Sequence, residues 1–104
     1  YLISFFKMKQ KYEFVVVLKA LLPEDVRLSA QSKIEGMIKT DGGVISKTDV
    51  WGKKHLAYKI KKHDEGFYIA YRIEIDKSNT NSFTSNVGLM PEVLRYLLIK
   101  EEEL

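Results

Sequence analysis

The most regular alternation in the chain lies in Gly66-Phe67-Tyr68-Ile69-Ala70-Tyr71-Arg72-Ile73-Glu74-Ile75-Asp76. Large apolar or aromatic side chains occupy every second position: Phe67, Ile69, Tyr71, Ile73 and Ile75. Successive side chains of a strand point to opposite faces of a sheet, so this set forms one buried face and the residues between them form the other. The segment is therefore predicted to be a strand. The polar stretch 62–66 before it predicts a hairpin with the preceding strand.

Strands and helices are predicted on both sides of this segment. Residues 11–20 are rich in β-branched and aromatic residues and predict a central strand with both faces partly covered. Proline and two acids at 23–25 are typical of a helix start, and Gly42-Gly43 of a helix end. Between them one apolar stripe recurs at helical spacing. Its members are Val26, Ala30, Ile34, Met37 and Ile38.

The remaining segments complete a simple order of elements. Residues 44–60 predict one long strand or two collinear strands, with a bulge or bend at Gly52. Residues 77–90 predict a second helix whose buried face holds Phe83, Val87 and Met90, and Pro91 cannot continue it. Residues 93–100 predict a last strand, in which Leu94, Tyr96 and Leu98 share one face.

The resulting order is β-α-β-β-α-β. Short connections and right-handed crossovers favour an α+β architecture for this order, the ferredoxin-like split βαβ, in which a four-stranded antiparallel sheet carries two helices on one face. The chain of 104 residues is long enough for one domain. We place that domain at 11–100, with an extended leader at 1–10 and an acidic end at 101–104.

Composition excludes several classes of protein. The chain contains no cysteine, which excludes disulfide scaffolds, thiol nucleophiles and cysteine-ligated metals. It shows neither a nucleophile elbow nor a phosphate-binding glycine loop, and its two histidines lie among cations that disfavour a metal site. No apolar run approaches the ~20 residues of a membrane-spanning helix. We therefore predict no enzyme, no cofactor, no small-molecule substrate and no membrane contact.

Positive charge is concentrated between Trp51 and His63. This segment holds five lysines and no acid, whereas the whole chain carries a net charge of +3. Such a stretch is typical of a polyanion site, but a lysine-rich strand edge that prevents aggregation has the same composition. Trp51 is a candidate for base stacking or for a protein interface, or else a half-buried edge residue that covers the core. Tyr68 lies opposite Phe67 and Ile69 in the alternation and is a candidate for the open face.

Residues 51–61, Trp-Gly-Lys-Lys-His-Leu-Ala-Tyr-Lys-Ile-Lys, closely resemble the signature of the bacterial-type small-subunit ribosomal protein six family. Four other segments agree with that family: 11–13 (Lys-Tyr-Glu), 42–43 (Gly-Gly), 63–68 (His-Asp-Glu-Gly-Phe-Tyr) and 93–96 (Val-Leu-Arg-Tyr). The resemblance covers about residues 9–100. The second helix departs from it, because it is poor in charge where the family usually has Glu and Arg.

The resemblance implies a structural protein of the small ribosomal subunit. It also implies binding to the central domain of the small-subunit RNA together with small-subunit ribosomal protein eighteen, in a bacterial cytoplasm or an organelle matrix. The predicted RNA-binding residues are Lys9, Lys11, Lys53, Lys54, His55, Lys61, Lys62, His63 and Arg95. The predicted partner-binding residues are Trp51, Leu56, Tyr58 and Tyr68. The alternative is a ferredoxin-like module that binds a small ligand or forms a homodimer across its open sheet.

Overall fold

The computed structural model describes residues 9–60 and 63–101. Its strands are β1 (Lys9–Lys19), β2 (Val44–Ile60), β3 (His63–Asp76) and β4 (Val93–Lys100). Its helices are α1 (Glu24–Thr40) and α2 (Thr80–Gly88), and a short 3₁₀ turn (Lys77–Asn79) leads into α2. The predicted order of elements is confirmed. The first strand begins at Lys9, two residues before the predicted domain boundary.

The four strands form one antiparallel sheet in the order β2-β3-β1-β4. Strands β1 and β3 are therefore the central ones and contribute most of the buried strand residues, and β2 and β4 lie at the edges. Each helix connects strands that are not hairpin partners, which gives the predicted ferredoxin-like split βαβ.

The core lies between the sheet and both helices. The alternating apolar side chains of β3 and their counterparts in β1 face the helices, and Ala30, Ile34 and Ile38 of α1 pack against them. Phe83 and Val87 of α2 are fully buried, and the Phe83 ring meets the Phe14 ring edge-on at 5.1 Å. In α1 the predicted stripe is buried at Ala30, Ile34 and Ile38, whereas Val26 at its start is only half-buried. The predicted residues of the second helix are buried, but α2 ends at Gly88 and Met90 follows it.

One buried polar contact ties α1 to the sheet. The Tyr71 hydroxyl donates a hydrogen bond to Glu35 Oε2 at 3.2 Å. Burial raises the pKa of the Tyr71 phenol, and the negative charge of Glu35 adds to this shift. The phenol therefore stays protonated and can donate to the carboxylate in neutral solution.

The alternation predicted for β4 is interrupted. Leu18 pairs with Val93 but Val17 pairs with Arg95, so Leu94 is an extra residue in β4. Val93 consequently joins the core cluster between the sheet and the helices, and Leu94 is also buried, at 6% exposure. Tyr96 stays on the core side, 6.0 Å from the Phe14 ring, but it remains 38% exposed at the sheet edge.

Within the described residues, the sheet face opposite the helices carries no other element. We call it the open face. Val15, Val17 and Ala70 lie on it and are almost fully covered by neighbouring side chains. Among the described helices, none is long and apolar enough to cross a membrane.

Candidate nucleic-acid and protein interface

A β-bulge at Gly52 sets the faces taken by the next residues of the basic segment, Lys53, Lys54 and His55. Val50 pairs with Ile69 and Gly52 pairs with Tyr68, so Trp51 is an extra residue between two consecutive pairs. Gly52 has φ +82°, a conformation that suits glycine and strains other residues. This confirms the bulge predicted at Gly52. Because strand side chains alternate, one extra residue exchanges the two faces for the residues after it, as far as the next register shift, which follows His55.

The extra residue, Trp51, belongs to a cluster on the open face. Its ring stacks on the Tyr68 ring with a centroid distance of 6.2 Å and an interplanar angle of 20°. Its Nε1 donates a hydrogen bond to Asp49 Oδ2 at 3.1 Å. The Lys54 ammonium lies 5.2 Å from the ring centroid, within cation–π distance. Trp51 is still 41% exposed, so this ordered ring offers a surface to a ligand.

Trp51 and Tyr68 form one wall of an apolar groove that crosses the open face. The groove has a volume of about 330 Å³. Leu97 and Ile99 of β4, each nearly half exposed, form the opposite wall. Its lining residues are Glu13, Val15, Val17, Trp51, Tyr68, Arg95, Tyr96, Leu97 and Ile99. We call this the open-face groove.

The amino-acid sequence predicted only part of this groove. Trp51 and Tyr68 were predicted as partner-binding residues, and both line it. Arg95 lies at the groove, beside Tyr96 and Leu97, and its predicted contact with RNA stays a prediction. The β4 wall was missed, although the apolar pair at 97 and 99 alternates with the core residues and could have signalled a second apolar surface. Leu56 is half-buried and packs near Gly66.

The lysines of the β2–β3 hairpin and those at the start of β1 have different cross-strand partners. Lys11 pairs with Glu74, and Glu13 pairs with Arg72, whose guanidinium also lies 3.9 Å from Glu101. Cross-strand pairs of opposite charge largely compensate one another. The positive charge predicted at the start of β1 is thus matched by acids on β3.

Lys53 and Lys54, in contrast, face uncharged cross-strand partners. Lys53 pairs with Phe67 and Lys54 with Gly66, and both lysine side chains are exposed. His55 is also exposed, but it pairs with Glu65. Lys53 and Lys54 are therefore predicted RNA-binding residues that are exposed and have no acid as their cross-strand partner.

Several predicted residues lie outside this description. Lys61 and Lys62 fall outside the described residues, and so do the side chains of Lys9, Tyr58 and His63. Their predicted roles in RNA or partner binding stay predictions.

A further cation near the hairpin was not predicted from the sequence. The Arg27 guanidinium of α1 lies over the Phe67 ring, 4.4 Å from its centroid. Phe67 is the cross-strand partner of Lys53, so Arg27 and Lys53 lie on the helix side of the same strand pair. Arg27 lies in the first turn of α1 and Phe67 lies 40 positions later in β3. No local sequence pattern predicts a contact over that separation, so the sequence did not identify Arg27.

The surface around the Gly52 bulge is suited to binding macromolecules. Its exposed aromatic, apolar and cationic side chains can bind through ring stacking, apolar burial and charge. In residues 9–60 and 63–101 no group of three or more His, Asp or Glu side chains is arranged to hold a metal ion.

Comparisons with known proteins identify relatives by sequence and by fold. The model of the family described as Ribosomal protein S6 matches residues 11–100. The chain is 30% identical to small ribosomal subunit protein bS6 of Fusobacterium nucleatum subsp. nucleatum over 93 residues, 89% of this chain and 99% of that protein. It is 33% identical to the bS6 protein of Clostridium kluyveri over 93 residues, 89% of this chain and 98% of the relative. The crystal structure of 30S ribosomal protein S6 from Thermotoga maritima shares its fold, with a TM-score of 0.84 at 24% identity over 89% of this chain and 88% of that one.

Proposed function

The chain belongs to the ribosomal protein S6 family, and on that premise we propose that it binds small-subunit ribosomal RNA through its β2–β3 hairpin while a second ribosomal protein docks in the open-face groove. Family membership makes it a structural, non-enzymatic protein of the small ribosomal subunit, associated with the ribosome. The proposal concerns its ligands: the central domain of the RNA and small-subunit ribosomal protein eighteen, in a bacterial cytoplasm or an organelle matrix.

The observation that carries the proposal is the meeting of two surfaces at the Gly52 bulge. Exposed lysines with uncharged cross-strand partners lie next to an apolar groove that is unoccupied by any described element. Lysines neutralise RNA phosphates and release counterions, which gives affinity without base recognition. An apolar groove with a polar rim is typical of a protein interface. Adjacent surfaces of these two kinds suit a protein that joins RNA to a neighbour.

The groove supports docking of a protein rather than of a phosphate backbone. Its walls are the exposed faces of Trp51, Leu97 and Ile99, which are 41%, 45% and 46% exposed. Burying this apolar area against an apolar partner surface is favourable in proportion to the area removed from water. The charged rim residues Glu13 and Arg95 would orient the partner, since interface charges set register and exclude wrong partners.

The test is the binding of the chain to a central-domain RNA fragment across a salt series, with and without protein eighteen. We expect binding that weakens with salt and tightens when the partner is present. The double variant Lys53→Ala with Lys54→Ala is expected to bind RNA more weakly. Its plot of log affinity against log salt should flatten by roughly 0.7–0.9 for each phosphate that is no longer neutralised. The fold should survive, because both side chains are exposed.

The matched control removes two lysines elsewhere. Lys33 on α1 and Lys47 near the start of β2 are both exposed, and replacing both by alanine lowers the net charge by the same amount. We expect the control to keep nearly the full salt slope. An unchanged slope in the hairpin variant, or an equal loss in the control, would contradict the proposed RNA surface.

The exposed apolar groove also favours one alternative, a homodimeric or ligand-binding module. That alternative predicts binding to neither RNA nor protein eighteen, together with a small-ligand pocket or a defined dimer in solution. Sedimentation of the protein alone tests for the dimer, and the RNA and partner binding measurements distinguish the two functions.

A further inference from the structure

Lys53 and Lys54 are adjacent strand residues and point to opposite faces of the sheet, and the Gly52 bulge decides which face each of them takes. Lys53 pairs with Phe67, a core-side residue, and therefore points to the helix side. Lys54 pairs with Gly66 and therefore points to the open face, where its ammonium lies 5.2 Å from the Trp51 ring centroid. Without the extra residue Trp51 these orientations would be reversed. The two lysines thus face different surroundings although they are neighbours in sequence.

The surroundings of Lys54 are those of the open-face groove. Trp51 is fixed by contacts in three directions: the stack with Tyr68, the hydrogen bond to Asp49 and the ammonium of Lys54. Removing the ammonium removes one of these contacts and frees the ring that forms a groove wall. A loosened wall residue must be ordered again when a partner binds, which lowers affinity.

The surroundings of Lys53 lie on the other side of the hairpin. The Arg27 guanidinium lies over the Phe67 ring, 4.4 Å from its centroid, and Phe67 is the cross-strand partner of Lys53. A second cation therefore lies on the helix side of the sheet, as Lys53 does. Glu65, the partner of His55, is the acid nearest to Lys53 along β3. Trp51 and the groove belong to the opposite face, so a ligand of Lys53 need not touch them.

From these contacts we propose that Lys54 is a positioning residue of the protein-docking groove rather than an RNA contact, and that Lys53 alone of the pair binds RNA phosphate. This inference rests on the proposed function and divides its ligands between the two lysines. It revises the expectation that both lysines face RNA.

The test uses the full chain and the single variants Lys53→Ala, Lys54→Ala and Lys54→Arg. Trp51 is the only tryptophan of the chain, so its emission reports directly on the groove wall. Lys54→Ala is expected to shift this emission and to weaken binding of protein eighteen by about two- to fivefold, the scale of one exposed cation–π contact. Its RNA salt slope, measured without the partner, should match that of the control Lys47→Ala. Lys54→Arg should restore partner binding, because a guanidinium also stacks on the ring.

Lys53→Ala is expected to behave in the opposite way. It should leave the emission of Trp51 and the affinity for protein eighteen unchanged, and flatten the RNA salt slope by about 0.9 or less. The inference is overturned if Lys54→Ala flattens the salt slope as Lys53→Ala does, or if it leaves partner binding intact. If the unmodified chain binds neither RNA nor partner, the proposed function fails. If it binds both and the two alanine variants are indistinguishable, only the present inference fails.

Discussion

Replacing Gly66 by alanine is expected to lower the free energy of unfolding by about 1–3 kcal/mol, the cost of overpacking a filled site. A Cβ atom at Gly66 would lie 2.3 Å from Val17 Cγ1. Carbon atoms pack favourably at roughly 3.5–4.0 Å, so the new atom would be more than about 1 Å too close. Val17 is only 4% exposed, and its neighbours in the middle of the sheet restrict its movement. No positive φ is involved at Gly66, so the expected cost is steric.

A double-mutant cycle with Val17→Ala measures this contact. Alone, Val17→Ala should cost about 1.5 kcal/mol, because it removes two carbons at about 0.8 kcal/mol each. It also removes the clashing Cγ1, after which the nearest atoms to the new Cβ are Leu56 Cδ2 at 3.4 Å and the Leu18 carbonyl oxygen at 3.6 Å. The double variant should therefore lose about 1–3 kcal/mol less than the sum of the single variants. Urea unfolding provides all four free energies, and strict additivity would refute the steric argument.

Gly36→Ala is the matched control for this cycle. Gly36 lies inside α1, is exposed, and has no atom within 4 Å of the position of a new Cβ. Alanine should stabilise the helix there by about 0.5–1 kcal/mol, because glycine loses more backbone entropy on folding. Replacing glycine by alanine is thus expected to lower the free energy of unfolding at Gly66 and to raise it at Gly36. Destabilisation at both would show that the surrounding atoms do not decide the outcome.

Further predictions concern the core, the bulge and alkaline pH. Phe83→Ala should cost about 3–5 kcal/mol in urea unfolding, because it empties a fully buried site beside Phe14. Gly52→Ala should cost about 1–2 kcal/mol through its left-handed backbone, and a cost near zero would contradict the bulge geometry. Tyr71→Phe should cost about 0.5–1.5 kcal/mol, because the hydrogen bond to Glu35 cannot form. The pKa of Tyr71 is raised above its ordinary value of 10.0 in the folded state, so the unfolded chain ionises first. The stabilisation that comes from this raised pKa is complete below pH 10 and declines as the pH rises further. Between pH 9 and 11 the free energy of unfolding of Tyr71→Phe should therefore fall less steeply than that of the unmodified chain.

The sequence was sufficient to predict the order of the elements and the residues of the core. The alternation in 67–75 and the helical stripe from Ala30 to Ile38 are local patterns, since each depends on the geometry of one element. Ala30, Ile34, Ile38 and the β3 residues from Ile69 to Ile75 at alternate positions are buried in the structure as predicted. The family signature around 51–61 is also local, because a motif is carried by consecutive residues.

The tertiary structure decided which side of the sheet each functional residue occupies. Alternation along a strand already places adjacent residues such as Lys53 and Lys54 on opposite faces. Register depends on the partner strand, however, so the sequence did not reveal which of the two lysines lies on the helix side. The bulge at Leu94 in β4, which pairs Val93 rather than Leu94 with Leu18, was hidden for the same reason.

Contacts between distant segments were likewise decided only by the fold. The position of Arg27 over Phe67, and the open-face groove between Trp51 and Leu97, join residues 40 or more positions apart. Their side chains meet because four strands pair in the order β2-β3-β1-β4. A periodic pattern in the sequence shows which face of a strand or helix is apolar. The pairing of the strands decides which side chains of other elements lie next to that face.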